Sequence, residues 1–124
     1  MPWARTALRW LLIIYAADIL VAMYAAGLGV FATIADFQPH RMAGWSALGI
    51  AFIVVLAAAA ARLPSQDIAS AVLLFGLTVA QPFLALAFKG QTPVIAAFHL
   101  IVPVVLLALV VALYRAASRP PRHA

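Results

Sequence analysis

Four stretches of almost unbroken apolar residues, separated by short polar breaks, organise this chain. They run from about 8 to 34, 41 to 61, 68 to 88 and 93 to 114. Each reaches the roughly 20 residues a helix needs to cross the hydrocarbon core of a bilayer. Leu63-Pro64-Ser65-Gln66-Asp67 divides the second stretch from the third, and Lys89-Gly90-Gln91-Thr92 the third from the fourth. Proline or glycine among polar neighbours is turn chemistry. Ser65 is placed to cap the third helix, with Asp67 in a first turn where the helix dipole favours an acid. Thr92-Pro93 reads as cap and first residue of the fourth helix. Loops this short make neighbouring helices antiparallel. The expected fold is therefore an all-α four-helix transmembrane bundle in one domain. Residues 115–124 form a polar tail expected to be mobile. No internal repeat is expected, for the first and second helix pairs share no obvious pattern.

Composition narrows the class further. Of the 124 residues, 68% are hydrophobic and 9% charged, where soluble domains carry roughly 45–50% and 25%. A water-soluble globule of this length cannot hide so much apolar surface, and disordered chains are polar and highly charged. The chain has no cysteine, which excludes disulfide scaffolds, thiolate metal sites, iron–sulfur clusters and cysteine nucleophiles. The first apolar run is too long for a signal peptide and ends in no clean small-x-small cleavage site.

Eight basic residues stand against three acidic ones. With four spans, Arg5, Arg9, Arg62, Arg115, Arg119 and Arg122 share one side of the membrane, while Arg41 and Lys89 occupy the other. That bias predicts both termini in the cytoplasm, for a multi-pass protein of the cell (inner) membrane. The basic excess then serves topology and contact with anionic lipid headgroups. No basic stripe lies on a soluble surface, so no nucleic-acid partner is expected.

Within lipid, the informative residues are polar ones inside the spans. Asp18 falls mid-way along the first helix, Thr78 and Gln81 in the third, and His99 about two turns into the fourth. His40 opens the second beside Arg41. Both histidines enter from the non-cytoplasmic face, on helices that run in the same direction and can face each other across the core. Neutral imidazole is a good axial ligand for haem iron. Gly44 and Ala47 after His40, and Ala96 one turn before His99, are small enough to leave room for a ring. Pro103 removes the hydrogen bond to the carbonyl of His99 and should bend the helix near that ligand. If both helices start level at Pro39 and Pro93, the histidines are offset by about 7 Å along the axis. Tilt, stagger or the bend must absorb that offset. Taken singly, each histidine is explained by the interface or by a contact such as one through Gln81.

His40-Arg41-Met42-x-Gly44 resembles the run that opens the second helix in one half of haem A synthase. The resemblance implies a four-helix haem-binding bundle with ligands from the second and fourth helices, matching His40 and His99, and a glutamine in the third, matching Gln81. That family carries a glutamate three positions before the histidine. Here the position is Phe37, so the resemblance does not extend to the oxidase chemistry. The chain also resembles an uncharacterised family of small four-helix bacterial membrane proteins, through the stretch Phe37-Gln38-Pro39-His40-Arg41-Met42-Ala43-Gly44.

These observations favour a small b-type haem protein for electron transfer or redox sensing, more a carrier than an enzyme. Its metal ligands are His40 and His99, its ring is packed by Gly44, Ala47, Ala96 and Gln81, and Arg41 and Lys89 lie near the propionates. Two other readings stand beside it. One is a cofactor-free accessory or scaffold subunit of a larger membrane complex or homo-oligomer, with Ala22, Ala26, Gly27 and Gly29 permitting close helix contact. The other is a proton-coupled small-cation transporter using Asp18, for which a carboxyl hydrogen-bonded to a neighbouring helix is the simpler explanation. Tyr24, Thr33 and Ser46 show no partner in the sequence. Trp3, Trp10, Tyr15, Trp45 and Tyr114 read as interfacial anchors. No nucleophile–base set, phosphate loop or zinc spacing is present.

Overall fold

The computed structural model describes residues 2–31, 37–87 and 93–120. Its elements are α1 (Pro2–Phe31), α2 (Gln38–Ala60), α3 (Ser65–Ala87) and α4 (Pro93–Ser118), with no strand among the described residues. All four helices are long and apolar enough to cross a membrane. Each packs on its chain neighbours and α4 closes the ring on α1, so α1 and α3, like α2 and α4, stand on diagonals.

The helices differ from the expected spans mainly at their ends. α1 begins at Pro2, a residue suited to a first helical turn because it has no amide hydrogen to satisfy. α2 begins three residues earlier than expected because Pro39 falls within its first two positions. Ser65 is the first residue of α3 rather than a cap before it; the Pro64 carbonyl accepts from the amides of Asp67 and Ile68, and Asp67 lies in the first turn. Thr92 and Lys89 lie outside the described residues. The expected mobile tail at 115–124 is corrected over its first half: α4 continues through Ser118. Ala116 and Ala117 are buried there, and the Arg5 guanidinium donates to the Arg119 carbonyl at 2.7 Å. Burial of two small residues and an anchored carbonyl hold this end against the start of α1.

The α2–α3 turn closes on Arg62, the one non-glycine residue with a positive φ among the described residues, at 52°. The Leu63 amide reaches the Ala58 carbonyl and the Arg62 amide the Ala59 carbonyl, which is a Schellman C-cap with arginine at the left-handed position. Leu63, the next residue, is buried in the core.

The core repeats with an offset of 59 positions. The pairs Leu12/Ala71, Tyr15/Leu74, Ile19/Thr78, Ala47/Leu106, Ala51/Val110, Val54/Leu113 and Ala58/Ala117 are each separated by that offset (12 to 71, for example), and every member is buried. The two helix pairs are thus equivalent halves about an approximate two-fold along the bundle axis. Only Ala58/Ala117 keeps its identity, which hides the repeat from a reading of residue types. Small residues on α2 are balanced by large ones on α4, so core volume is conserved while side chains are exchanged. Tyr15 belongs to this core and not to an interfacial belt. Its hydroxyl donates to Thr78 Oγ1 at 2.6 Å across the α1–α3 diagonal, while Thr78 gives its own proton to the Leu74 carbonyl.

A candidate two-histidine site

His40 projects from the first turn of α2 and His99 from the second turn of α4. Their ring centroids lie 5.9 Å apart with the planes at 83°. The offset expected from level helix starts is absent. α4 begins one turn earlier than its two-fold partner, since Pro93 precedes the equivalent of Gln38 (position 97) by four residues. Depth in the bundle follows the repeat and not the helix ends, and His40 and His99 are themselves 59 positions apart (40 to 99).

The same relation governs how the rings are held. His40 Nδ1 donates to the Ala22 carbonyl at 2.8 Å and His99 Nδ1 donates to the Gln81 carbonyl at 3.1 Å, each across a sequence separation of 18. A carbonyl only accepts, so in the neutral ring the proton sits on Nδ1 and the lone pair on Nε2. An outer hydrogen bond of this kind fixes the tautomer and the ring orientation of a metal-binding histidine. Both imidazoles therefore carry their free donor nitrogen away from the helices that orient them.

The rings face a cavity of about 270 Å³, near the lower limit of small-molecule sites and well beyond the space of a few waters. Of the residues expected to pack a ring, Gly44, Ala47 and Gln81 line it with the two histidines, as does Arg41, expected near the propionates. Ala96 lies in α4, but its side chain is outside the described part. The sequence did not single out Met23, Pro82 or Leu106, which also line the wall with Trp45, a residue read from the sequence as an interfacial anchor; each has an unremarkable helical-core or interfacial setting in the chain. Gly44 leaves real space, for a Cβ built there meets nothing within 4 Å. Gln81 Oε1 is buried without a hydrogen-bond partner among the described residues, which leaves an acceptor for a polar group of an occupant.

Asp18 is elsewhere. Its carboxyl oxygens each lie 2.8 Å from Ser46 Oγ on α2, on the outer side of the α1–α2 contact. Ser46, which lacked a partner in the sequence, supplies the hydrogen bond that a carboxyl inside a span requires. Among the described residues no three His, Cys, Asp or Glu side chains gather to hold a metal.

The model of a family of unknown function, DUF6220, matches residues 22–89, more than half of the chain. The matched stretch includes Ala22, His40 and Gln81 and stops before His99. No curated protein and no solved structure matches, and no match connects the chain with haem A synthase.

Proposed function

We propose that this chain, which belongs to the DUF6220 family of unknown function, is a small membrane haem protein that carries or senses electrons. The observation that carries this reading is the pair of imidazoles 5.9 Å apart, each with Nδ1 committed to a backbone carbonyl. Metal–imidazole bonds of about 2 Å on either side of one ion would set two ring centroids about 6 Å apart. Two protein donors do not complete the coordination of a metal that takes four to six ligands. His40 and His99 would hold the iron of a porphyrin, which would bring the remaining donors with it and supply one-electron chemistry. With both histidines committed to the iron, the pair would favour electron transfer over oxygen chemistry.

The remaining residues act on the occupant's surroundings. Gly44 and Ala47 keep the wall thin where a ring must pass, and the apolar lining excludes water and so favours the less charged redox state. Arg41, at the membrane edge of α2, is positioned to pair with a carboxylate. The basic residues at both chain ends and at Arg62 support termini in the cytoplasm of a bacterial inner membrane. The histidine site then opens near the opposite face.

Purified protein from haem-replete cells tests the reading. A redox-sensitive Soret band that is lost in His99→Ala and kept in Asp18→Asn is the expected result. A colourless preparation contradicts it. Proton-driven cation uptake abolished by Asp18→Asn would instead assign the protein to transport.

A further inference from the structure

Most of the cavity wall obeys the two-fold. His40/His99, Gly44/Pro103 and Ala47/Leu106 are among the lining pairs related by 59 positions (44 to 103, for example). Four lining residues break the rule: Arg41, Trp45 and Leu48 on α2, and Ala85 on α3. Their equivalents in the other half, Leu100, Val104, Leu107 and Ala26, do not line the cavity. Among the described residues the site is therefore a symmetric slot with an extension at the gap between α2 and α3.

That extension has a definite character. Arg41, Trp45 and Leu48 fall on one helical face and cover about 10 Å of depth. They run from the first turn of α2 into the apolar span Gln38–Ala60. Arg41, Trp45 and Pro82 line the cavity and are also exposed, so this part of the wall reaches the outside of the bundle at membrane level. The upper end offers a guanidinium, and the lower end offers only apolar contact. A porphyrin-sized occupant of a cavity of about 270 Å³ would extend its periphery into this opening.

We propose that the gap between α2 and α3 is a lateral doorway: an amphiphilic anion with a flat apolar body and an acidic edge enters from the bilayer, and Arg41 holds that edge at the membrane surface. This deepens the haem reading and rests on it. The asymmetry between Arg41 and Leu100 gives an otherwise two-fold slot one preferred ligand orientation.

The test uses the full chain in lipid nanodiscs, with ferric haem or its uncharged dimethyl ester offered from liposomes and uptake followed by absorbance. Wild-type protein is expected to bind haem about threefold or more tightly than the ester, and Arg41→Leu to erase that preference. Trp45→Ala, which widens the doorway, is expected to speed uptake and release together by about threefold or more. Val104→Ala, the equivalent change on the other half, is expected to alter neither. Wild-type protein that takes up neither compound overturns the haem reading itself. Wild-type protein that loads, while Arg41→Leu keeps the preference or Trp45→Ala and Val104→Ala behave alike, overturns the doorway alone.

Discussion

The imidazoles of His40 and His99 meet across the α2–α4 diagonal with their centroids 5.9 Å apart, each ring held by the carbonyl of the residue 18 positions before it. Each half of the bundle thus supplies one donor and one orienting carbonyl. A metal between them would depend on the halves equally. His40→Ala and His99→Ala are expected to weaken haem binding by similar factors, about tenfold or more each. Either change also opens a coordination position, so the variants, reloaded with excess haem and reduced, should bind carbon monoxide while the wild type does not. Difference spectra with and without carbon monoxide measure this directly.

Gly44 offers a steric test of the cavity. A side chain there meets no protein atom within 4 Å of its Cβ, so Gly44→Phe should fill the space where a ring sits without disturbing the helices. The expected outcome is a folded, colourless protein with unchanged far-ultraviolet circular dichroism. Gly49 also has open space around it and lies outside the cavity wall; Gly49→Phe should keep its haem.

How much of this was legible in the chain can be argued from particular residues. The four spans follow from apolar run length, and His40, His99, Arg41, Gly44, Ala47 and Gln81 converge as the paired-histidine argument expects. The level-start assumption failed because α4 carries an extra turn before the equivalent of Gln38, and helix ends say nothing about depth. Tyr15 passes for an interfacial aromatic until Thr78 is seen to meet its hydroxyl. The repeat escaped notice because packing conserves volume and position, whereas Ala47 and Leu106 share neither size nor shape.

That exchange of volumes leads to a stability prediction. Ala47 and Leu106 are buried equivalents on facing helices and both line the cavity. Leu106→Ala should cost about 2–5 kcal/mol through the space it leaves, and Ala47→Leu about 1–3 kcal/mol through overpacking. The double variant should cost less than the sum by about 1 kcal/mol or more, since the total volume is restored. Thermal unfolding of the three variants in one detergent measures the coupling. Strict additivity would mean the two positions do not share a space.

Arg62 presents the reverse case, a residue the fold tolerates at a cost. Its φ of 52° suits glycine, and a side chain in that left-handed position costs about 1 kcal/mol. Arg62→Gly is expected to raise the melting temperature with the helix pair intact. If orientation rests on the whole basic set and not on Arg62 alone, reporter fusions at either terminus should still locate both ends in the cytoplasm.

The most direct test of the central claim is low-temperature electron paramagnetic resonance of the oxidised, haem-loaded protein, read with its iron content. One iron per chain with a low-spin ferric signal characteristic of two imidazole ligands is the predicted result. A high-spin signal, or a chain that holds no iron, would contradict the assignment of His40 and His99 as partners on one metal.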